Sequence, residues 1–192
     1  MSLPAGFGSL ATLQTLDLRF TQLTTLPAEV GILAALQTLY LGGPQLTVLS
    51  AEIGKLAALQ TLSISRTGVT FLPAEIGNLV TLQTLYLGSN NALTFLPAEI
   101  GNLAALQTLT ISGTPLTVLP PDIGNLTTLQ PLDLSYNNAL TFLPAEIGNL
   151  ATLQTLDLNG YVGELPLPAE ILKLRETVPY LIIVPFVMTV SS

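Results

Sequence analysis

The sequence predicts an α/β solenoid, in which short parallel strands form one curved sheet and short helical segments cover its other side. The main observation is a unit that opens with leucine at its first, fourth and sixth positions, as at Leu82, Leu85 and Leu87. Successive units begin 23, 23, 23, 24, 23 and 24 residues apart, and a fixed period of this length indicates a repeat architecture. The opening leucines are Leu13, Leu36, Leu59, Leu82, Leu106, Leu129 and Leu153.

Residues 1–12 form an N-terminal half repeat. The stretch LPAGFGSL, Leu3 to Leu10, aligns with the closing half of the unit, which reads LPAEIGNL in the best copies. The chain therefore opens in the middle of a repeat. Terminal repeats need a polar outer face to stay soluble, so we expect a fragment of a longer protein or an end that a partner covers.

Residues 13–175 hold seven copies of the unit. Apolar residues alternate at positions four and six, which predicts a strand with one buried face. Successive strands should lie parallel, about 5 Å apart. In LPAEIGNL, proline takes a favoured first helical position and an acid follows two residues later. We therefore expect a short helix or 3₁₀ segment on the convex side, ended by the glycine.

The pattern LxxLxLxxN/TxLxxLP and its period resemble the leucine-rich repeat family, over nearly the whole chain. The LPAEIGNL half is similar to the class found in plant intracellular Ras-group-related proteins and many bacterial repeat proteins. The resemblance implies a horseshoe with a parallel concave sheet and protein binding through that sheet. It also implies an asparagine ladder at position nine, which we expect to be looser where threonine or proline replaces asparagine. Position nine reads Thr21, Pro44, Thr67, Asn90, Thr114, Asn137 and Tyr161.

Two 24-residue copies carry asparagine at position nine, followed by a further Asn-Ala, as at Asn90 and Asn137. This recurrence indicates a duplicated unit of two repeats. In residues 176–192, Val178, Leu181 and Ile183 restore the LxxLxL spacing and predict an atypical eighth strand that closes the sheet. The tail from Val184 to Ser192 matches no repeat.

Composition excludes several function classes. The formal net charge of −7 argues against nucleic acid, whose phosphates would be repelled. The chain has no Cys and no His, so the usual nucleophile and base pairs of enzymes are missing, and no glycine loop suited to phosphate precedes a helix. We predict no enzyme activity, cofactor or metal. Neither a signal peptide nor an apolar run of spanning length is visible, which favours a cytoplasmic protein.

The concave face is the candidate recognition surface, because positions three, five and seven point out of the sheet. Threonine fills position three almost uniformly, whereas position five varies. Variation over a constant frame is typical of a ligand-reading surface, and Tyr and Arg are enriched at interface hot spots. Drift at exposed positions is the alternative explanation. The predicted partner-binding residues are Asp17, Arg19, Tyr40, Arg66, Tyr86, Thr110, Asp133, Tyr136 and Asp157.

Two further rows follow the period. An acid recurs in each LPAEIGNL half, where a helix N-terminus stabilises it by about 0.3 to 1 kcal/mol, so no ligand is needed to explain it. This acid row is Glu29, Glu52, Glu75, Glu99, Asp122, Glu146 and Glu170. A mostly apolar row could support self-association, as could the terminal repeats. The apolar row is Thr25, Val48, Phe71, Phe95, Val118 and Phe142.

The sequence thus favours a protein-interaction scaffold whose partner is not specified. Three alternatives stay open. The chain could be the recognition segment of a larger signalling enzyme such as a kinase, GTPase or ubiquitin ligase. It could present a threonine-rich, lattice-matching surface, such as one that binds ice. It could also be an engineered, consensus-like scaffold without a natural ligand, as the near identity of the LPAEIGNL copies suggests.

Overall fold

Within the part of the chain that the structure describes, eight parallel strands form one sheet in chain order, as the repeat predicts. The computed structural model describes residues 10–161, 165–178 and 182–184. Each strand pairs with the next one along the chain, with Leu16 beside Leu39 and Leu39 beside Leu62. The strands are β1 Thr15–Leu18, β2 Thr38–Gly43, β3 Thr61–Thr67, β4 Thr84–Tyr86, β5 Thr108–Thr110, β6 Pro131–Asp133, β7 Thr155–Asp157 and β8 Ile182–Val184.

Short 3₁₀ turns of five residues cover the other side of the sheet, one for each LPAEIGNL segment from the first full copy onward. Each turn begins directly after a proline, except the second, where the Ser50 hydroxyl accepts a hydrogen bond from the Glu52 N–H at 3.3 Å. The last segment instead forms a nine-residue helix, α1 Ala169–Thr177. The 3₁₀ turns are Ala28–Ile32, Ala51–Lys55, Ala74–Asn78, Ala98–Asn102, Pro121–Asn125 and Ala145–Asn149.

One apolar core runs between the sheet and the turns. The leucines at positions one, four and six point into it, and Leu82, Leu85 and Leu87 are fully buried. The isoleucines of the turns, such as Ile100, complete the layer from the convex side. Burying a leucine side chain stabilises the fold by about 1.5–3 kcal/mol. The regular spacing of these leucines therefore determines both the strand register and the stacking of the repeats.

The glycine of each turn allows neighbouring repeats to stack closely. It is the fourth of the five residues, so it lies within the turn, and the expectation that it ends the turn is wrong. A Cβ atom added at Gly54 would lie 2.4 Å from the Glu75 carbonyl oxygen, and one at Gly101 would lie 2.4 Å from that of Asp122. No side chain fits there without displacing the backbone of the next turn.

At position nine, a threonine of one repeat and the asparagine of the next form a hydrogen-bonded pair. The Asn90 side-chain oxygen accepts hydrogen bonds from the Thr67 N–H at 2.9 Å and the Thr67 hydroxyl at 2.8 Å. The Asn90 amide donates to the carbonyls of Ile64 and Leu87 at 2.6 and 2.7 Å. Thr114 and Asn137 repeat the arrangement. Thr67 and Thr114 are thus bonded through the asparagine of the next repeat, which supports the inferred two-repeat unit.

The other copies satisfy position nine differently, in line with a ladder that is looser outside the asparagine copies. The Thr21 hydroxyl donates locally to the Leu18 carbonyl at 2.8 Å, and the Tyr161 hydroxyl donates to the Leu140 carbonyl of the preceding repeat. Burial of the Tyr161 phenol raises its pKa to about 12. Within the described residues, every buried side-chain nitrogen or oxygen has a hydrogen-bond partner.

The eighth strand exists, but the register that the sequence predicts for it is wrong. Ile183 pairs with Leu156 at position four, where the LxxLxL spacing places Leu181. Helix α1 is longer than the 3₁₀ turns, so more chain is used before the strand begins. Leu172 stands in α1 where the other copies have glycine, and no further turn stacks against α1 in the described chain. The predicted tail lies outside the described residues, apart from Val184.

Asn90 provides a test of the bonded pair. Asn90→Ala leaves the buried N–H and hydroxyl of Thr67, and two buried carbonyls, without their partner. We expect the free energy of unfolding to fall by about 3 kcal/mol, measured by urea denaturation. The neighbouring Asn91 is exposed, so Asn91→Ala should change it by less than about 0.5 kcal/mol. Equal effects of the two substitutions would contradict a structural role for the pair.

Candidate recognition face

The predicted position-five residues form one continuous row across the exposed face of the sheet, the concave face. Tyr40 lies beside Asp17 on one side and Ser63 on the other, and Ser63 lies beside Tyr86. The row continues through Thr110, Asp133 and Asp157. The structure thus brings all the predicted position-five residues together. Ser63 also belongs to the row, although its small side chain did not mark it as a binding residue.

The three aspartates of this row bond to the backbone just beyond the end of their own strand. Each carboxylate accepts a hydrogen bond from the N–H two residues later: Arg19 for Asp17 at 3.0 Å, Ser135 for Asp133 at 2.9 Å, and Asn159 for Asp157 at 2.9 Å. A short acidic side chain competes well for local N–H groups in this way. The aspartates at position five therefore help to hold the turn after the strand. This structural role was not predicted from the sequence.

Arg19 is held by two neighbours at the N-terminal end of the face. Its guanidinium forms a two-pronged ion pair with Asp17, with the shortest contact at 2.7 Å from Nη2 to Oδ2. The guanidinium carbon lies 4.8 Å from the centre of the Tyr40 ring, a cation–π distance. The hydrogen bonds from Arg19 lower the pKa of Asp17, so the pair persists until the pH falls through that lowered value.

Position eight, at or just past the end of each strand, has a left-handed backbone in all seven copies. Glycine fills it at Gly43, Gly113 and Gly160, whose φ angles are 116°, 63° and 71°. Other residue types occupy it at a cost, because a side chain in this region meets its own backbone. The four are Phe20, Arg66, Ser89 and Tyr136, with φ angles of 62°, 57°, 59° and 58°.

This turn carries two predicted binding residues, Arg66 and Tyr136, and both are exposed. It also presents Phe20, which is 92% exposed and was not predicted. The recurrence of glycine at position eight in three copies is the sequence feature that could have predicted this left-handed turn. The Tyr136 ring covers Gly160 of the next repeat, where an added Cβ would lie 2.2 Å from Cδ1 of the ring.

A cavity of about 360 Å³ opens at the edge of the concave face, between the first and fourth repeats. Gly42 and Gly43 of β2 lack side chains and leave space between Arg19 and Arg66, which both line the cavity. The Arg19 stem lies across Gly42, since a Cβ atom there would be 3.3 Å from Arg19 Cγ. Ser63, Ser65 and Ser89 add hydroxyl groups to the lining.

The other rows lie elsewhere. The acids of the acid row occupy the first turn of each convex 3₁₀ segment or of α1, as expected. Four members of the apolar row, Val48, Phe71, Phe95 and Phe142, are 43–49% exposed. Position-three threonines are paired in register from Thr15 to Thr108.

In the described chain, no three of the residues Asp, Glu, His or Cys come together in a way that could hold a metal ion.

Comparison with known proteins identifies the family. The sequence profile described as "Leucine rich repeat" matches residues 57–116 and 104–160, together more than half of the chain. The chain belongs to the leucine-rich repeat family. A search of curated protein sequences finds no match. The profile does not distinguish the LPxxIGxL class within the family, so that assignment stays a prediction.

Several solved structures are similar in fold, and two of them are described as leucine-rich repeat structures. A leucine-rich repeat protein of Leptospira interrogans is 33% identical with a TM-score of 0.60, covering 93% of this chain and 56% of that one. The leucine-rich repeat domain of the type III effector XopL is 26% identical with a TM-score of 0.56, covering 94% and 79%. The plant peptide hormone receptor RGFR1, in complex with RGF2, is 28% identical with a TM-score of 0.58, covering 92% and 36%.

The present chain thus spans 56% of the length of the Leptospira protein that it resembles. The shared fold and these neighbours support a general role in protein interaction. Among the helices of the described residues, none has the length and apolar character needed to cross a bilayer.

Phe20 tests the strain at position eight. Phe20→Gly removes a side chain that is almost fully exposed and relieves the strain of a left-handed backbone, which stabilises the fold. It also raises the conformational entropy of the unfolded chain, which offsets part of that gain. We expect a net gain of about 0.5–1 kcal/mol in the free energy of unfolding, measured by urea denaturation. Phe142→Gly, at an exposed aromatic without a positive φ angle, should be destabilising. A loss of stability in Phe20→Gly would show that this ring contributes to packing.

Proposed function

We propose that this chain binds a protein partner across the concave face, through the position-five row and the residues just beyond it. The observation that carries the proposal is the pair of aromatic residues in the row. Tyr86 is 39% exposed and Tyr40 is half-buried. Neither hydroxyl forms a hydrogen bond within the described residues. Each ring thus offers apolar area and an unused hydroxyl group to a partner.

The charges of the face are arranged in a way that would orient a partner. Arg19 and Arg66 lie at its N-terminal end, whereas Asp133 and Asp157 lie side by side near the other end. Complementary charge on a partner increases the association rate and fixes the orientation more than it adds affinity. The partner we propose is therefore an elongated protein segment that lies along the row with its acidic end over the first repeats.

The family context supports binding and adds no catalytic step. One similar structure is a receptor solved in complex with RGF2, and another is the repeat domain of an effector. Leucine-rich repeat proteins are in general binding modules. We extend the proposal to a chain that acts by recognition alone, and recognition on behalf of a longer signalling enzyme is compatible with it. Ordered lattice matching is disfavoured, because Pro131 interrupts the threonine row and tyrosines stand beside it.

The test is affinity capture from a lysate of the source organism with three baits. The baits are the wild-type chain, the double variant Tyr40→Ala/Tyr86→Ala, and the control Phe95→Ala/Phe142→Ala, which removes two exposed aromatic residues of the apolar row. Truncation of a hot-spot residue costs about 2 kcal/mol or more in binding. We expect a protein that the wild type and the control retain and the tyrosine variant loses.

The melting temperatures of the three baits should be nearly equal, because all four side chains are partly exposed. A partner retained equally by all three baits would contradict recognition by the concave face. A partner lost only from the phenylalanine variant would place the binding surface on the apolar row.

A further inference from the structure

The cavity between Arg19 and Arg66 contains both of the basic side chains that the described part of the concave side presents. The other described basic side chains, Lys55 and Lys173, lie in a convex turn and in α1. The overall charge is −7, with 12 acidic and 5 basic residues, so placing two of the few cations around one cavity is notable. No Asp or Glu lines the cavity.

The two arginines differ in their partners. Arg19 is neutralised by the ion pair with Asp17. The Arg66 side chain forms no ion pair or hydrogen bond within the described residues, and it is exposed. Its guanidinium therefore keeps all five N–H donors, which match an oxyanion in a two-pronged geometry.

The backbone holds Arg66 in this place. The pairing of β2 with β3 shifts between Leu41 and Gly43, so that Gly43 lies beside Thr67 and β3 has one extra residue. Such a bulge re-aims the side chain that it carries. Arg66 lies at the bulge, with a φ angle of 57° and its N–H bonded to the Gly88 carbonyl at 3.1 Å. Glycine fills position eight in three other copies, so a residue without backbone strain would fit in place of Arg66.

Strands β1 and β3 flank β2, so Arg19 and Arg66 rise on either side of the glycines, with backbones roughly 10 Å apart. The Ser89 hydroxyl is an additional donor to an oxyanion, as is one of the Ser63 and Ser65 hydroxyls, which bond to each other at 3.4 Å. The Asp17 charge cancels that of Arg19, which leaves one net positive charge at the cavity. A singly charged carboxylate matches it, whereas a phosphate dianion would leave one uncompensated negative charge at the cavity.

We propose that this cavity binds a carboxylate group of the partner, with Arg66 as its main ligand and Arg19 beside it. The proposal deepens the recognition function and rests on it. The carboxylate comes from an acidic side chain or from a chain end of the partner.

The test is a titration of the full ¹⁵N-labelled chain with small probes, followed by NMR at the side-chain Nε–H of Arg19 and Arg66 and at the amides of Gly42 and Gly43. N-acetylaspartate N-methylamide represents an acidic side chain, and N-acetylglycine represents a chain end. N-acetylasparagine N-methylamide is the uncharged match of the first probe. Inorganic phosphate is the fourth probe.

We expect at least one carboxylate probe to shift the Arg66 and Gly43 signals saturably, and the neutral probe to leave them unchanged. The tighter of the two carboxylate probes identifies the source of the group. Arg66→Gln should weaken binding by about tenfold or more, because it removes a charged two-pronged donor. Arg66→Lys, which keeps the charge without the fork, should weaken it less. The control Lys55→Gln removes one positive charge from the convex side and should leave binding within about twofold.

Equal shifts with the neutral probe, or unchanged binding in Arg66→Gln, would overturn the proposal. Tighter binding of phosphate than of both carboxylates would overturn the choice of carboxylate. The titration does not involve Tyr40, Tyr86 or any partner. If capture by the concave face succeeds and the carboxylates fail to bind, only the role of the cavity is refuted, and the proposed function stands.

Discussion

The structure depends on the bonding between neighbouring repeats at their buried edge. A repeat of 23 or 24 residues is too short to enclose its own polar backbone, so the next repeat must supply the partners. Asn90 does this most completely, since it receives two bonds from Thr67 and gives two to buried carbonyls. Leaving such groups unpaired costs about 1–3 kcal/mol each. The repeats can therefore stack in only one register.

That register separates the chain into a frame and a face. Positions one, four and six are buried from the second copy onward and nearly invariant in type, and the turn glycines allow the repeats to approach closely. Position five and the left-handed position eight lie outside this packing. At position five the residue changes from Tyr to Ser to Asp, and the pairing of that position with the next strand stays in register. The frame thus carries a surface whose chemistry can vary independently, and this independence makes recognition a reasonable function for it.

The sequence predicts the frame well because its signals are local and repeated. The period of the leucines determines strands β1–β7 and the buried positions, and the LPAEIGNL half determines the turns. The last strand is less predictable, because the spacing of Val178, Leu181 and Ile183 fits the repeat while the longer helix α1 shifts the pairing to Ile183. The position of a strand after an irregular element depends on how much chain that element uses.

The candidate site is only partly readable from the sequence, because much of it arises between repeats. The position-five row follows from the repeat alone. The cavity requires Arg19 and Arg66, two repeats apart, to face each other over Gly42 and Gly43, and no single repeat contains that arrangement. The local bonds of Asp17 and Asp133 likewise depend on the turn beyond the strand. Recurrent glycine at position eight was the one visible sign of that turn.

The independence of frame and face is most directly tested by converting the row to one residue type. The triple variant Tyr40→Thr, Ser63→Thr and Tyr86→Thr extends the threonine of Thr110 through the centre of the face. Its free energy of unfolding, measured by urea denaturation, should stay within about 1.5 kcal/mol of the wild-type value, because all three side chains are at least partly exposed and each surface substitution changes it by about 0.5 kcal/mol. A loss above about 3 kcal/mol would show that the row is part of the frame.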